Sequence, residues 1–152
     1  MIFVTVGTTT FNPLIKKIDE LVAREKINDT IIAQISYGNY IPKHIQWFRF
    51  DPHLEKYFKS ANTVITAGGA GTLFELCKSG KKVIATMSSE NVWNPDIVQK
   101  LSKDKHILWC KNLEELENLI KKSKNFKFKK YYPPGCHINK KIIDFLSCPC
   151  KT

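Results

Sequence analysis

The stretch that most limits the fold is TVITAGGAGTLFELCKSGKKVIAT, residues 63–86. A short β-branched run, TVIT, enters a glycine-rich turn, a helical pattern follows from about Thr72 to Lys78, and a second apolar run, VIATM, begins at Val83. Two strands joined through a helix make a βαβ unit, and such a crossover leaves its strands parallel. The same alternation fills the rest of the chain. The opening IFVTV, closed by Gly7, reads as a strand buried on both faces. Asn12-Pro13 predicts a helix start, a capping side chain followed by proline in the first turn. That helix runs to about Arg24, with Leu14, Ile15, Ile18, Leu21 and Val22 on one face.

Further strands are predicted over Thr30–Ser36, at WFRF (47–50) and at HILWC (106–110), with a short helix from His53 to about Ser60. Asn94-Pro95 predicts a helix as Asn12-Pro13 does, and Asn112 with Glu115 forms a capping-box-like start to another. The order predicts an α/β fold, a doubly wound, Rossmann-like parallel sheet covered on both faces. Residues 1–120 carry this pattern. Residues 121–152 hold a basic, aromatic stretch, KKSKNFKFKKYYPPG, and a last short helix around Asn139–Leu146, all within one domain.

A chain of 152 residues can bury a full core. No apolar run approaches the 18 to 20 or so residues of a membrane span, and MIFVTVGTTT has neither a basic leader nor a small-residue cleavage site. Neither secretion nor a membrane span is expected. Five irregularly spaced cysteines read as reduced thiols, which points to the cytoplasm. The net charge of +10 comes from 24 Lys and Arg, of which only Arg24 and Arg49 are arginine. Arginine is the usual reader of bases, so nucleic acid is a disfavoured partner, even though Phe126, Phe128, Tyr131 and Tyr132 accompany the lysines of 121–130. A lysine-rich surface also suits adsorption to anionic lipid, or is simply solvated.

In the turn after TVIT, Gly68, Gly69 and Gly71 leave backbone N–H groups free to close around an anion, and Thr72 adds a hydroxyl at a helix N-terminus. A phosphate or diphosphate fits such a place. The alternative is that the glycines only fit the strand-to-helix corner, since neither a dinucleotide fingerprint nor a P-loop lysine is present. Glu75, one turn on, can accept the two hydroxyls of a ribose or stand as a solvated first-turn carboxylate. Gly7, Thr8 and Thr9 leave the carboxyl end of the first strand and are expected to face the same crevice. Cys136-His137 with Cys148 and Cys150 match no common zinc spacing, so no metal site is predicted, and no nucleophile–base pair can be assigned.

MIFVTVGT at the start, FDPHLEKYFKSANTVITAGGAGTLFELCKSGKKVIA in the middle and a helix after an asparagine near 94 resemble the C-terminal, donor-binding half of MurG-like glycosyltransferases. The likeness is nearest to the small one-domain members. These are the cytosolic subunit of the two-part UDP-N-acetylglucosamine transferase of lipid-linked oligosaccharide assembly and its bacterial capsule and exopolysaccharide counterparts. The resemblance implies half of a GT-B fold that binds a UDP-sugar. It places the diphosphate on Gly69, Ala70, Gly71 and Thr72, with Gly68 in the same donor-binding set, the ribose on Glu75, and the uracil on backbone near Phe50 and Asp51. Gly7, Thr8 and Thr9 then border the sugar-phosphate, and Asn94 and Asp96 lie toward the sugar.

Transfer with inversion, driven by charge stabilisation on the departing diphosphate, is implied, with no cofactor or required metal. The general base is implied to come from elsewhere. Two positions depart from the family: Ala67-Gly68 where relatives often carry histidine or serine, and Pro95-Asp96 where a His-Gln pair is usual, so that Asp96 or Gln99 takes over contacts there. The resemblance also implies a membrane-anchored partner subunit carrying a lipid-linked acceptor, with this chain peripheral at the cytosolic face. Ile138, Ile142, Ile143, Phe145 and Leu146 of the last helix can dock that partner or pack back on the sheet. The departures leave a second reading open, a non-catalytic nucleotide-binding or interaction module.

Overall fold

A computed structural model of the chain describes residues 1–87, 95–135 and 138–147. Six strands form one sheet: β1 (Ile2–Thr5), β2 (Ile31–Gln34), β3 (Gln46–Phe48), β4 (Thr63–Thr66), β5 (Lys82–Thr86) and β6 (Leu108–Cys110). Their order is β3-β2-β1-β4-β5-β6, and every pairing is parallel. Val4 lies opposite Ala33 of β2 on one side and Ile65 of β4 on the other. From that central pair the chain winds outward in both directions.

Alternate residues of the strands feed two cores. Ile2, Val4, Ile65 and Ile84 meet α1 (Asn12–Ala23) and α5 (Leu116–Asn125), whereas Phe3, Val64, Val83 and Ala85 meet α2 (Glu55–Ser60), α3 (Ala70–Lys78) and α4 (Pro95–Lys103). Because β1 and β4 are covered on both faces, they need side chains suited to burial at consecutive positions, which is why IFVT and TVIT show no alternation of exposed polar residues. Phe3 is fully buried and stacks against Tyr57 with ring centroids 5.0 Å apart, which ties β1 to α2.

Several boundaries move. Asn12 is the first residue of α1 rather than its cap, and its side-chain Oδ1 accepts a hydrogen bond from the Tyr40 amide at 3.2 Å. Asn112 does cap, accepting from the Glu114 amide, but it opens a 3-10 turn (Leu113–Glu115) that leads into α5. α3 begins at Ala70, so Gly71 is a residue of its first turn and not of the loop.

No helix joins β2 to β3. Residues 35–45 are instead strapped to α1 by Asp19, which is 2% exposed and accepts from the Tyr40 hydroxyl (2.7 Å), the Lys43 amide (3.0 Å) and the His44 amide (2.7 Å). Burial pushes the Asp19 carboxyl up, but these hydrogen bonds outweigh it and hold the group below its ordinary 3.8. The same contact drives the Tyr40 hydroxyl up to about 12.

Three helices end in one motif. Lys26 N–H reaches Leu21 O after α1, Lys81 N–H reaches Leu76 O after α3, and His106 N–H reaches Leu101 O after α4. Such a close needs a left-handed residue, usually glycine. Gly80 supplies it for α3 (φ 69°), but Glu25 (φ 56°) and Lys105 (φ 64°) hold the equivalent positions after α1 and α4. Glu25→Gly and Lys105→Gly are therefore expected to stabilise the fold by about 0.5–1 kcal/mol each in urea titrations, while Gly80→Ala destabilises it by a similar amount.

The segment after α5 folds back on the domain. Phe126 and Phe128 pack edge to face against the α1 side, and Tyr131 lies against Phe74 and His106 on the other. Of the four aromatic residues available to a nucleic acid, these three are packed and Tyr132 is left 73% exposed. The last helix, α6 (Ile138–Ser147), does not pack on the sheet: Ile138, Ile142, Ile143, Phe145 and Leu146 are all exposed. Among the described residues no helix is long and apolar enough to cross a membrane.

Candidate functional site

Where the winding reverses, the loops leaving β1 and β4 part and leave a crevice at the carboxyl ends of the strands, the place where open parallel sheets bind ligands. The cavity there is about 420 Å³, lined by Val6, Gly7, Thr8 and Thr9 on one side and by Thr66, Ala67, Gly69, Ala70, Gly71 and Thr72 on the other. Thus the structure brings together the two glycine loops that lie 60 residues apart in the sequence. None of the described lining residues is acidic.

The floor is a buried polar network. Gln34 Nε2 donates to Gly7 O (3.0 Å), the Gly7 amide donates to Thr5 Oγ1 (3.1 Å), and the Ala67 amide donates to Thr5 O (3.1 Å). Thr5 and Gln34 are each 1% exposed, so losing a partner would leave a buried polar group unsatisfied. Sequence reading missed Gln34, although a lone amide in the apolar strand IIAQ was its signal.

The four glycines divide into two kinds. Gly7 (φ 66°) and Gly68 (φ 87°) hold left-handed backbone, and a Cβ on Gly68 would stand 3.1 Å from Thr86 O. Gly68 is buried and is not among the lining residues, so its part is to turn the chain. Gly69, with φ −58°, and Gly71, inside α3, have conformations open to any residue, and a Cβ on either meets nothing within 4 Å. The fold does not require glycine at these two positions. What a side chain there would fill is the crevice.

Gly69 is also the N-cap of α3, and no side chain caps that end among the described residues. The first intrahelical bond runs from the Leu73 amide to Gly69 O (3.0 Å), which leaves the amides of Ala70, Gly71 and Thr72 without intrahelical partners. Three N–H groups and the positive end of a nine-residue helix thus meet the cavity, an arrangement suited to an anion.

The other predicted residues lie around this centre. Glu75 is exposed, one turn beyond Thr72, and is not among the described lining residues; its carboxylate makes no hydrogen bond or ion pair among the described residues. Phe50, past the end of β3, is 63% exposed at the same edge of the sheet. The Asp51 side chain is occupied: it pairs with Lys56 Nζ (2.6 Å) and accepts from the His53 amide (2.8 Å), and Lys56 first and His53 second hold its carboxyl below the ordinary range. Only its main chain remains free for a ligand. Asp96 and Gln99 are exposed on α4, Asp96 in its first turn, whereas Asn94 lies outside the described residues, as do Cys136, His137, Cys148 and Cys150. Among the described residues no three His, Cys, Asp or Glu side chains are placed to hold a metal ion.

Fold and site together define a doubly wound α/β domain with a crevice at its switch point that helix N-terminal amides face. The chain belongs to the family described as the glycosyltransferase family 28 C-terminal domain, which residues 1–131 match. It is 28% identical over 128 residues to the UDP-N-acetylglucosamine transferase subunit ALG13 of Mus musculus, covering 71% of this chain and 10% of that protein. The corresponding Homo sapiens protein is 27% identical over 122 residues, covering 72% and 11%. The chain therefore spans about a tenth of the length of these curated relatives. The NMR solution structure of ALG13 superposes with a TM-score of 0.61 at 14% identity over 93% of both chains. The glycotransferase of kitacinnamycin superposes at 0.64 with 16% identity, over 82% of this chain and 34% of that one. These two likenesses show the fold, that of GT-B glycosyltransferase domains.

Proposed function

We propose that the chain is the donor-binding subunit of an inverting glycosyltransferase that takes a UDP-sugar, UDP-N-acetylglucosamine foremost. The observation that carries this reading is the glycine-walled crevice at the β1/β4 switch point, facing three amides of α3 that have no partner among the described residues. Membership of the family and the subunit named in the relatives' descriptions support the sugar and the chemistry.

In this reading the amides of Ala70, Gly71 and Thr72 receive the diphosphate. They stabilise the charge that grows on it as the anomeric bond breaks, so that no metal is required for departure. Gly7, Thr8 and Thr9 close the crevice over the sugar-phosphate from the β1 side, held in place by Gln34 and Thr5. Glu75, beyond Thr72 on α3 and with no side-chain partner among the described residues, accepts the ribose hydroxyls. The base that deprotonates the acceptor comes, in this reading, from a partner subunit. That partner is membrane-anchored and presents a lipid-linked acceptor, which places this chain at the cytosolic face. The exposed apolar side chains of α6 are the surface it would dock.

Calorimetric titration with UDP and UDP-N-acetylglucosamine tests the donor assignment. Binding in the micromolar to millimolar range is expected, unchanged by EDTA and weakened about tenfold in Glu75→Ala, the loss of one hydrogen-bonded charge at roughly 1.4 kcal/mol. Absence of binding to the wild-type chain, with or without a partner, leaves the non-catalytic module as the better reading.

A further inference from the structure

The charge of this chain is gathered in one stretch. Residues 118–152 hold nine lysines and a single acidic residue, Asp144, and so carry +8 of the net +10. The structure turns part of that stretch into a fixed surface. Beyond α5 the chain alternates: Phe126, Phe128 and Tyr131 turn inward and pack, while Lys127, Lys129 and Lys130 are exposed. Phe126 and Phe128 join the core on one face of the sheet and Tyr131 joins the core on the other. Between them the Lys129 amide donates to Lys105 O (2.9 Å), and Lys129 O accepts from His106 Nδ1 (2.9 Å). Lys105 and His106 lead into β6, the last strand of the sheet, so these residues form a strap across the amino end of that marginal strand.

The strap is short of counter-charge. Lys121 pairs with Glu117 and Lys124 with Asp29, whereas Lys105, Lys122, Lys127, Lys129 and Lys130 have no acidic partner among the described residues. Lys122 Nζ lies 5.8 Å from the centre of the Phe126 ring, which sets it beside the strap. Lys130 Nζ lies 5.3 Å from the ring of Tyr132, the one aromatic residue of the stretch that is left mostly exposed. Five like charges held on one pinned segment repel one another, and a surface of opposite charge relieves that repulsion.

We propose that this lysine strap is an adsorption surface for the anionic head groups of a bilayer. Lys105, Lys122, Lys127, Lys129 and Lys130 supply the cations, and Tyr132 is placed to lie at the interface, where an amphipathic ring is favoured. A nucleic acid fits the same charge less well. No arginine lies in residues 118–152, and the rings of Phe126, Phe128 and Tyr131 that would stack on bases are packed against the domain. Lysine ammoniums on flexible stems, by contrast, adapt to a fluid array of phosphates without fixed geometry. The crevice opens at the carboxyl ends of the strands, so head groups at the amino end of β6 leave it clear. The inference does not need the donor reading. It gives the chain its own hold on a membrane, separate from the apolar side chains of α6.

The test is co-sedimentation of the full chain with vesicles of phosphatidylcholine alone and with vesicles containing about a third phosphatidylglycerol. Wild type is expected to partition onto the anionic vesicles only, and at least tenfold less as salt rises from about 0.1 to 0.5 M. Lys127→Gln, Lys129→Gln and Lys130→Gln combined should lower that partition about a hundredfold, roughly fivefold for each lysine. The same three changes to arginine keep the charge and should stay within about threefold of wild type. Phe145→Ser with Leu146→Ser on α6 should bind vesicles as wild type does. UDP affinity should be the same in all of these variants. Equal binding to neutral vesicles, or an unchanged partition in the glutamine variant, overturns the inference. So does a partition lost in the α6 variant, which would make α6 the anchor. A single-stranded RNA bound more tightly than the vesicles, and released by the glutamine changes, would make the strap a nucleic-acid surface instead. If the glutamine variant loses UDP as well, the strap belongs to the donor site and the inference falls. A wild type that binds vesicles but no UDP leaves this inference standing and removes the donor reading alone.

Discussion

Gly69→Leu abolishes UDP binding without unfolding the protein: that is the expected result with the sharpest contrast between fold and function. The backbone at Gly69 (φ −58°, ψ 126°) suits any residue, and its Cβ direction is open for 4 Å. The leucine side chain would occupy the space in front of the three first-turn amides of α3. Affinity for UDP is expected to fall by a hundredfold or more, roughly 2.8 kcal/mol. Stability should change by no more than about 1 kcal/mol, the difference between glycine and an aliphatic residue at an N-cap. Gly68→Ala gives the reverse pattern, because its φ of 87° and the 3.1 Å approach of Thr86 O make the change a structural one, at about 1–3 kcal/mol. Urea melts beside UDP titrations of the two variants separate these roles.

The largest effect on stability is expected at Asp19. Asp19→Ala leaves the Tyr40 hydroxyl and the Lys43 and His44 amides without their acceptor under a segment that has no helix of its own. A loss of about 3 kcal/mol follows, several degrees in Tm for a chain of this size. The carboxyl is held below its ordinary 3.8 in the fold, so its contribution is complete above about pH 4 and disappears as pH falls through the lowered folded value. The stability gap between wild type and Asp19→Asn, measured in urea from pH 7 to pH 2.5, should therefore shrink on the acid side. A gap that stays constant or widens below pH 4 would show that the carboxylate is not the fastener.

The fold was legible because its signals are local. Each β-branched run between turn residues becomes a strand, and the parallel order follows from the intervening helices. The crevice was legible for the same reason, since ligand sites gather where strand order reverses, and both glycine loops follow central strands. What sequence could not supply was the part each glycine plays. Gly68 and Gly69 are neighbours of one residue type, yet one turns the chain and the other leaves room beside it, a difference set by φ and by Thr86 from another strand. Asn12 misled for a similar reason: its side chain was committed to Tyr40, 28 residues away, rather than to its own helix. The Asp19 strap and the Gln34 floor are likewise long-range polar contacts that no periodicity encodes. The apolar face of α6 was visible as a pattern, but only the exposure of Ile142 and Phe145 shows that the sheet does not cover it.

The most direct measurement is an NMR titration of the ¹⁵N-labelled chain with UDP, following backbone amides. The account predicts that the amides of Gly7, Thr8, Gly69, Ala70, Gly71 and Thr72 shift together along one saturating curve, with those of the basic 121–130 stretch unmoved. Shifts confined to the lysine-rich stretch, or none at all at saturating UDP, would contradict it.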